Sequence, residues 1–122
     1  MTRSEFGGNP QVRLQNPARV SRHAVATLAD LPPGTMRSFE VGGRKIIVVN
    51  LDGELHALDG ICSHAYSELD KGFFMGDLVT CALHLSQFDV RTGEPISPPA
   101  TDPLRRYPVA AEGETVYVDI PD

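Results

Sequence analysis

Hydrophobic positions along this chain fall in short, evenly spaced groups bounded by turn residues, and several groups alternate with polar residues. That period belongs to β-strands, not to helices. Residues 36–41 and 45–51 are expected to be strands joined through Gly42-Gly43, a two-residue hairpin signal. Leu51-Asp52-Gly53-Glu54 reads as a second tight turn, followed by a strand through Leu55, Ala57 and Leu58. Further short strands are expected at 78–80 and at 88–90, the latter before the turn Arg91-Thr92-Gly93-Glu94. Residues 95–103 contain four prolines and are expected to be an irregular connection. Strands at 107–110 and 115–120 close the chain around Glu112-Gly113-Glu114. Order is expected to begin near 25–28, ahead of the turn Asp30-Leu31-Pro32-Pro33-Gly34. Residues 1–20 are broken by Gly, Asn and Pro without a period and read as a flexible N-terminal arm, leaving 21–122 as the ordered domain. The pattern predicts an all-β chain, an antiparallel β-sandwich or small barrel.

Composition narrows the class. A chain of 122 residues, 41% hydrophobic and 22% charged, is one soluble globular domain with enough core to dispense with disulfides. Ile46-Ile47-Val48-Val49 is the longest aliphatic run, far too short to span a membrane. No apolar stretch follows the charges of the first eight residues, so no export signal is expected, and the reading is cytoplasmic. In a reducing compartment, two cysteines are better suited to ligand duty than to bridging.

A net charge of −5 has the wrong sign for nucleic-acid binding. Arg3, Arg13 and Arg19 outweigh Glu5 in the arm, whereas Asp52, Glu54, Asp59, Glu68, Asp70 and Asp77 face only Lys71 between 52 and 77. This acidic run is either an ordinary solvated surface or a face that steers a basic partner.

Each cysteine has a histidine close behind it. Cys62-Ser63-His64 and Cys81-Ala82-Leu83-His84 are separated by sixteen residues, and both pairs fall where strands give way to loops. Thiolate and imidazole donors suit zinc or an iron–sulfur cluster. Three readings are open: unrelated buried residues, a tetrahedral Cys2His2 zinc site, and a Rieske [2Fe-2S] centre with two cysteines on one iron and two histidines on the other. The one-residue gap between Cys62 and His64 is tighter than zinc ligands usually show.

The ligand spacing is similar to the Rieske signature, and the likeness extends beyond it. Asp59-Gly60-Ile61-Cys62-Ser63-His64-Ala65-Tyr66 and Phe88-Asp89-Val90-Arg91-Thr92-Gly93 resemble stretches of the ferredoxins of bacterial ring-hydroxylating dioxygenase systems. So do Pro98-Pro99-Ala100 through Pro103-Leu104, and Tyr107-Pro108-Val109. The resemblance covers roughly 22–120 and implies a basal β-sandwich with a smaller cluster-binding subdomain at about 60–100. A proline-rich loop would cover the cluster, and Cys62, His64, Cys81 and His84 would hold it. Two positions depart from the commonest pattern: Ala82, where proline often follows the second cysteine, and Leu85, where glycine often follows the second histidine.

The resemblance further implies an electron carrier and not an enzyme. It would take single electrons from a flavin-containing reductase and pass them to a terminal oxygenase, with no small-molecule substrate of its own. A chain of this length leaves no room for the two histidines and carboxylate of a mononuclear iron site. The alternatives are a zinc-stabilised interaction module and the Rieske small subunit of another redox complex. Around the ligands, Leu83 and Leu85 read as a small apolar contact patch rimmed by Glu68, Asp70 and Asp77, with Tyr66, Phe73, Phe74, Met75, Pro98 and Pro99 as cover or core. His23 and His56 are expected to take no part in ligation.

Two neutral imidazoles in place of two thiolates raise a cluster's potential into the range of about −150 to +300 mV. In high-potential relatives, two extra cysteines bridge the loops and a tyrosine hydroxyl points at a ligand cysteine. Here Ser67, Leu83 and Phe88 stand at the similar positions, and Ser86 offers a donor toward the cluster. Potentiometric titration is therefore expected to give a midpoint near the low end, at about −150 mV; a clearly positive midpoint contradicts this reading.

Overall fold

The computed structural model describes residues 20–63, 67–83, 85–97 and 102–121. Among them are eleven strands in three antiparallel sheets and no element longer than a single 3-10 turn that is helical. The first sheet orders β1 (Val20–Thr27), β11 (Thr115–Pro121) and β10 (Val109–Glu112). The second orders β2 (Met36–Val41), β3 (Arg44–Leu51), β4 (Glu54–Asp59) and β9 (Arg106–Tyr107). The third and smallest orders β5 (Phe73–Met75), β6 (Leu78–Thr80), β7 (Gln87–Asp89) and β8 (Pro95–Ser97).

Two buried clusters hold these sheets together, and β3 belongs to both. Its Ile46 and Val48 join Leu31, Ala57, Tyr107, Val116, Val118 and Ile120 against the first sheet. Its Ile47, Val49 and Leu51 point the opposite way, into a second cluster with Leu58, Leu69, Val79, Phe88, Val90, Leu104 and both cysteines. Side chains of a strand alternate between faces, so a strand covered on both reads as an unbroken aliphatic run. That is the meaning of Ile46-Ile47-Val48-Val49. Each of these four residues is completely buried.

The expected hairpin at 42–43 is present, with Val41 opposite Arg44 and positive φ values of 57° and 81° at the two glycines. Two such values in succession match a turn whose twist suits antiparallel strands. At the next turn Asp52 and Gly53 also have positive φ, and the buried Asn50 side chain accepts the Gly53 N–H at 2.7 Å. The same side chain donates to the Leu31 carbonyl at 2.6 Å, which pins the loop before β2.

Four expectations need correction. Ordered structure is not confined to 25–28 onward, because β1 already pairs with β11 at Val20, with a bulge around Val25. Val20 thus leaves the arm, and residues 1–19 lie outside the described residues. Residues 95–97 form β8 and are not irregular: this is an edge strand, and a proline at its first position costs the ladder no donor. The single strand expected at 107–110 is two. Tyr107 pairs with Ala57 in one sheet and Val109 with Val118 in another, and Pro108 carries the chain between them. Strand β5 was not foreseen, because three apolar residues in a row show no alternation.

Gly72 allows the small sheet to close against the rest. It follows the 3-10 turn Leu69–Lys71, and a Cβ built on it would lie 1.9 Å from the Thr80 carbonyl oxygen and 3.1 Å from the Ala82 nitrogen. No side chain fits there without moving backbone. Gly72→Ala is expected to destabilise the folded protein by about 2–3 kcal/mol in urea titration; an unchanged midpoint contradicts the close approach.

Candidate metal centre

The two cysteines emerge from different elements into one buried place. Cys62 follows β4 and Gly60, and Cys81 follows β6 directly. Both belong to the cluster built on Ile47, Val49 and Phe88, with 4% and 0% of their surfaces exposed. They are not joined by a disulfide.

The loops that carry them close in the same way. The Cys62 N–H donates to the Ser67 carbonyl at 2.9 Å, and the Cys81 N–H donates to the Ser86 carbonyl at 2.8 Å. Each bond spans five residues, and each ring contains in sequence the histidine of its pair. The second ring is tightened by the Leu85 N–H, which donates back to the Cys81 carbonyl at 2.8 Å. Ser86, named above as a possible donor, is completely buried beside Cys81. His64 and His84 lie outside the described residues, as do Tyr66 and the segment 98–101 that contains Pro98, Pro99 and Ala100. Among the described residues no three of His, Cys, Asp and Glu gather in a metal-binding group. The described half of the expected ligand set is therefore the cysteine half, and both of its members belong to the same buried cluster.

The first loop is held from below by Lys45, which the sequence analysis did not single out. An isolated bridge pairs Ile61 with Glu68 across the loop's neck. The Gly60 N–H donates to the Lys45 carbonyl at 2.9 Å, and the Leu69 N–H donates to the Gly60 carbonyl at 2.8 Å. Above this, the Lys45 ammonium donates to Glu68 and lies 3.2 Å from Asp70, whose other oxygen accepts from the Ser38 hydroxyl at 2.9 Å. One residue at the head of an aliphatic strand thus holds both sides of the loop, its carbonyl on Gly60 and its ammonium on Glu68 and Asp70. From the far side, the Ser63 hydroxyl donates to the Asp102 carbonyl at 2.6 Å, tying the chain after the prolines to the same loop.

This network changes the view of the acidic run. Glu68 and Asp70 share Lys45, while Asp77 pairs with Arg91 at 3.1 Å, as does Glu54 at 3.6 Å. Asp59 accepts from the Tyr107 hydroxyl at 2.5 Å and from the Arg105 N–H at 3.1 Å. The acids expected to rim Leu83 and Leu85 thus each have a cationic partner within the fold, Lys45 for Glu68 and Asp70 and Arg91 for Asp77. His56 is held between Glu54 at 3.1 Å and Arg106 at 3.5 Å on β4. Leu83 and Leu85 are exposed, at 62% and 61%, as are Phe73 and Met75, whereas Phe74 packs inward.

A family model described as the Rieske [2Fe-2S] domain matches residues 21–108. The chain belongs to the Rieske [2Fe-2S] family. It is 43% identical over 96 residues to the ferredoxin component of biphenyl 2,3-dioxygenase from Rhodococcus jostii (strain RHA1), covering 79% of this chain and 90% of that relative. Among solved structures, it resembles the ferredoxin of carbazole 1,9a-dioxygenase from Nocardioides aromaticivorans IC177, with 36% identity and a TM-score of 0.77 over 84% of this chain and 99% of that one. It also matches a ferredoxin in a complex of reduced oxygenase and oxidised ferredoxin in carbazole 1,9a-dioxygenase, at 33% identity and a TM-score of 0.75 over 80% and 91% of the two chains. The all-β antiparallel architecture expected from the sequence is that of this Rieske group.

The residues present fit the family's cofactor, a [2Fe-2S] cluster. Two buried cysteines of one cluster, each starting a loop that a backbone hydrogen bond closes, are soft donors of the kind such a cluster takes. In the Rieske chain the Lys45 bridge is what stiffens the first of those loops.

Its charge state is secure near neutrality. The hydrogen bond to Glu68 holds the Lys45 ammonium above its usual 10.5, so its contribution is complete below 10.5 and lost only as pH rises past the raised value. For Asp70, burial pushes the carboxyl up, but the Ser38 and Lys45 hydrogen bonds and the nearby Lys45 and Lys71 charges outweigh it and bring it below 3.8. Its contribution is complete above 3.8 and lost as pH falls through the lowered value. Lys45→Met is expected to weaken loop closure by about 1 kcal/mol, which speeds cluster loss to an iron chelator about fivefold at pH 7, while Lys45→Arg stays near the parent rate. Bleaching rates followed by visible absorbance check this, and equal rates for all three proteins contradict it.

Proposed function

We propose that Cys62 and Cys81 bind one iron of the [2Fe-2S] cluster as thiolates and that His64 and His84 bind the other as neutral imidazoles. The observation that carries this reading is the convergence of the two cysteine loops, closed alike, into one buried cluster of a Rieske-family chain. The histidines are assigned by their place in the sequence, one inside each closed loop.

The protein is an electron carrier, the ferredoxin component of an aromatic dioxygenase system. When bound, the cluster supplies a site that accepts and releases one electron at a time. The chain's own residues fix how easily that happens. Phe88, completely buried among the same residues as the cysteines, brings a ring and no hydroxyl to the cluster's surroundings, so it offers a ligand sulfur no hydrogen bond. Closed loops and the β3 face beneath them keep the donors in place in both charge states, which limits the rearrangement each transfer requires. The short loop Cys81–Ser86 leaves Leu83 and Leu85 at the surface, where a partner can approach.

The partners follow from the relatives. A terminal oxygenase is the acceptor, as in the carbazole system whose ferredoxin has been solved in complex with its oxygenase. A flavin-containing reductase is the donor that such a system requires. No helix among the described residues is long and apolar enough to cross a membrane.

Single-turnover mixing tests the reading. Chemically reduced protein mixed with the oxidised oxygenase component of the biphenyl system is expected to give up one electron per chain. A protein that carries iron and sulfide yet cannot be reduced and reoxidised in this way contradicts the carrier function.

A further inference from the structure

Only two non-glycine residues with positive φ occur among the described residues, Asp52 at 54° and Leu85 at 62°. Aspartate in a tight turn tolerates the left-handed region, because its short polar side chain bonds locally. Leucine has no such relief, and its Cβ crowds the backbone there. The conformation at Leu85 goes with the ring it closes: Cys81 N–H donates to the Ser86 carbonyl and Leu85 N–H to the Cys81 carbonyl, with Leu85 left-handed just before Ser86. Glycine would make this turn without strain.

A bulky residue in a strained conformation is usually offset by what it buries. Leu85 buries little within its own chain. Its surface is 61% exposed and that of Leu83, on the same ring, is 62% exposed, while Cys81 and Ser86 at the ring's ends are completely buried. The fold therefore bears the strain and the exposed apolar surface without an internal return, directly above a cluster ligand. Strain of this kind concentrates at functional sites. An electron leaves a buried cluster only where a partner comes close, and Leu83 and Leu85 are exposed residues close in sequence to Cys81. The neighbouring acids are already paired with Lys45 and Arg91, so free charge around the ring is scarce and apolar contact carries more of the recognition.

We propose that Leu85 is a specificity-determining contact for the terminal oxygenase: its side chain enters an apolar recess of that partner, and the strained turn is kept for that purpose. This rests on the electron-carrier reading above and names the residue through which that carrier selects its acceptor. A small apolar contact suits a transient redox complex, in which the interface is small and release is fast. Selectivity arises because an oxygenase without the recess would meet Leu85 as a clash.

Holoprotein reduced with dithionite, as parent, Leu85→Gly and Leu85→Ala, is mixed with rising concentrations of the oxidised biphenyl oxygenase component. The melting temperature of each is measured in parallel. Leu85→Gly is expected to melt no lower than the parent, and Leu85→Ala, which keeps the left-handed penalty, to melt below Leu85→Gly. Both variants should raise the half-saturating oxygenase concentration about fivefold with the limiting rate unchanged. Reduction by a flavin-containing reductase should be indifferent to both. The proposal is overturned if Leu85→Gly melts below the parent, if half-saturation does not move, if only the limiting rate falls, or if the reductase step weakens in the same measure. Failure of the parent itself to reduce the oxygenase is a different result, seen before any variant is compared, and overturns the oxygenase as partner and this contact with it.

Discussion

The site depends on one strand being buried on both faces. Along β3, Ile46 and Val48 seal the larger sandwich, and Ile47, Val49 and Leu51 form the floor under the cysteine loops. A shift of one residue in its pairing with β2 or β4 would send each set into the other's place, which makes the register of β3 the setting on which the cluster site rests. The strand's polar head serves the same end. Lys45 lies at the end nearest the first loop, where its backbone receives Gly60 and its ammonium takes Glu68 and Asp70. Sheet and loop are therefore positioned by a single element.

From that floor the two loops rise with matching closures, although their cysteine-to-histidine spacings differ by one residue. The common feature is the five-residue reach from cysteine N–H to serine carbonyl, which fixes where each ring ends regardless of where its histidine sits. The small sheet β5 to β8 supplies the second wall through Val79 and Phe88, and Gly72 lets that wall come within backbone contact of the first loop's exit. The base of the site is thus made of paired strands and backbone hydrogen bonds, the kind of support a carrier needs if its donors are to stay still while the electron moves.

Much of this was legible in the sequence. Strands 36–41 and 78–80 stand where alternation and turn residues placed them, because Gly42-Gly43 and the residues around Gly53 and Gly93 punctuate the chain unambiguously. Spacing singles out the cysteine pair in the sequence, and Cys62 and Cys81 both lie in the buried cluster over β3. Other features left little trace. β1 alternates through Ser21 and His23 on its half-buried side and so lacks an apolar signature, and β8 hides behind the proline that edge position tolerates. The Lys45 bridge and the ring closures rest on contacts between distant positions and on backbone groups, which no local pattern encodes. Leu85 is intermediate: its departure from glycine was visible in the sequence, but its positive φ became apparent only with the ring around it.

The central claim is that Cys62 and Cys81 share a dinuclear iron cluster with two imidazoles from His64 and His84. The most direct measurement is electron–nuclear double resonance on the reduced protein, prepared without air and labelled with nitrogen-15 at histidine. The account predicts a signal coupled to two histidine nitrogens, lost stepwise when His64 and His84 are replaced in turn. A silent, colourless protein that contains zinc, or an iron–sulfur signal with no histidine coupling, would contradict it.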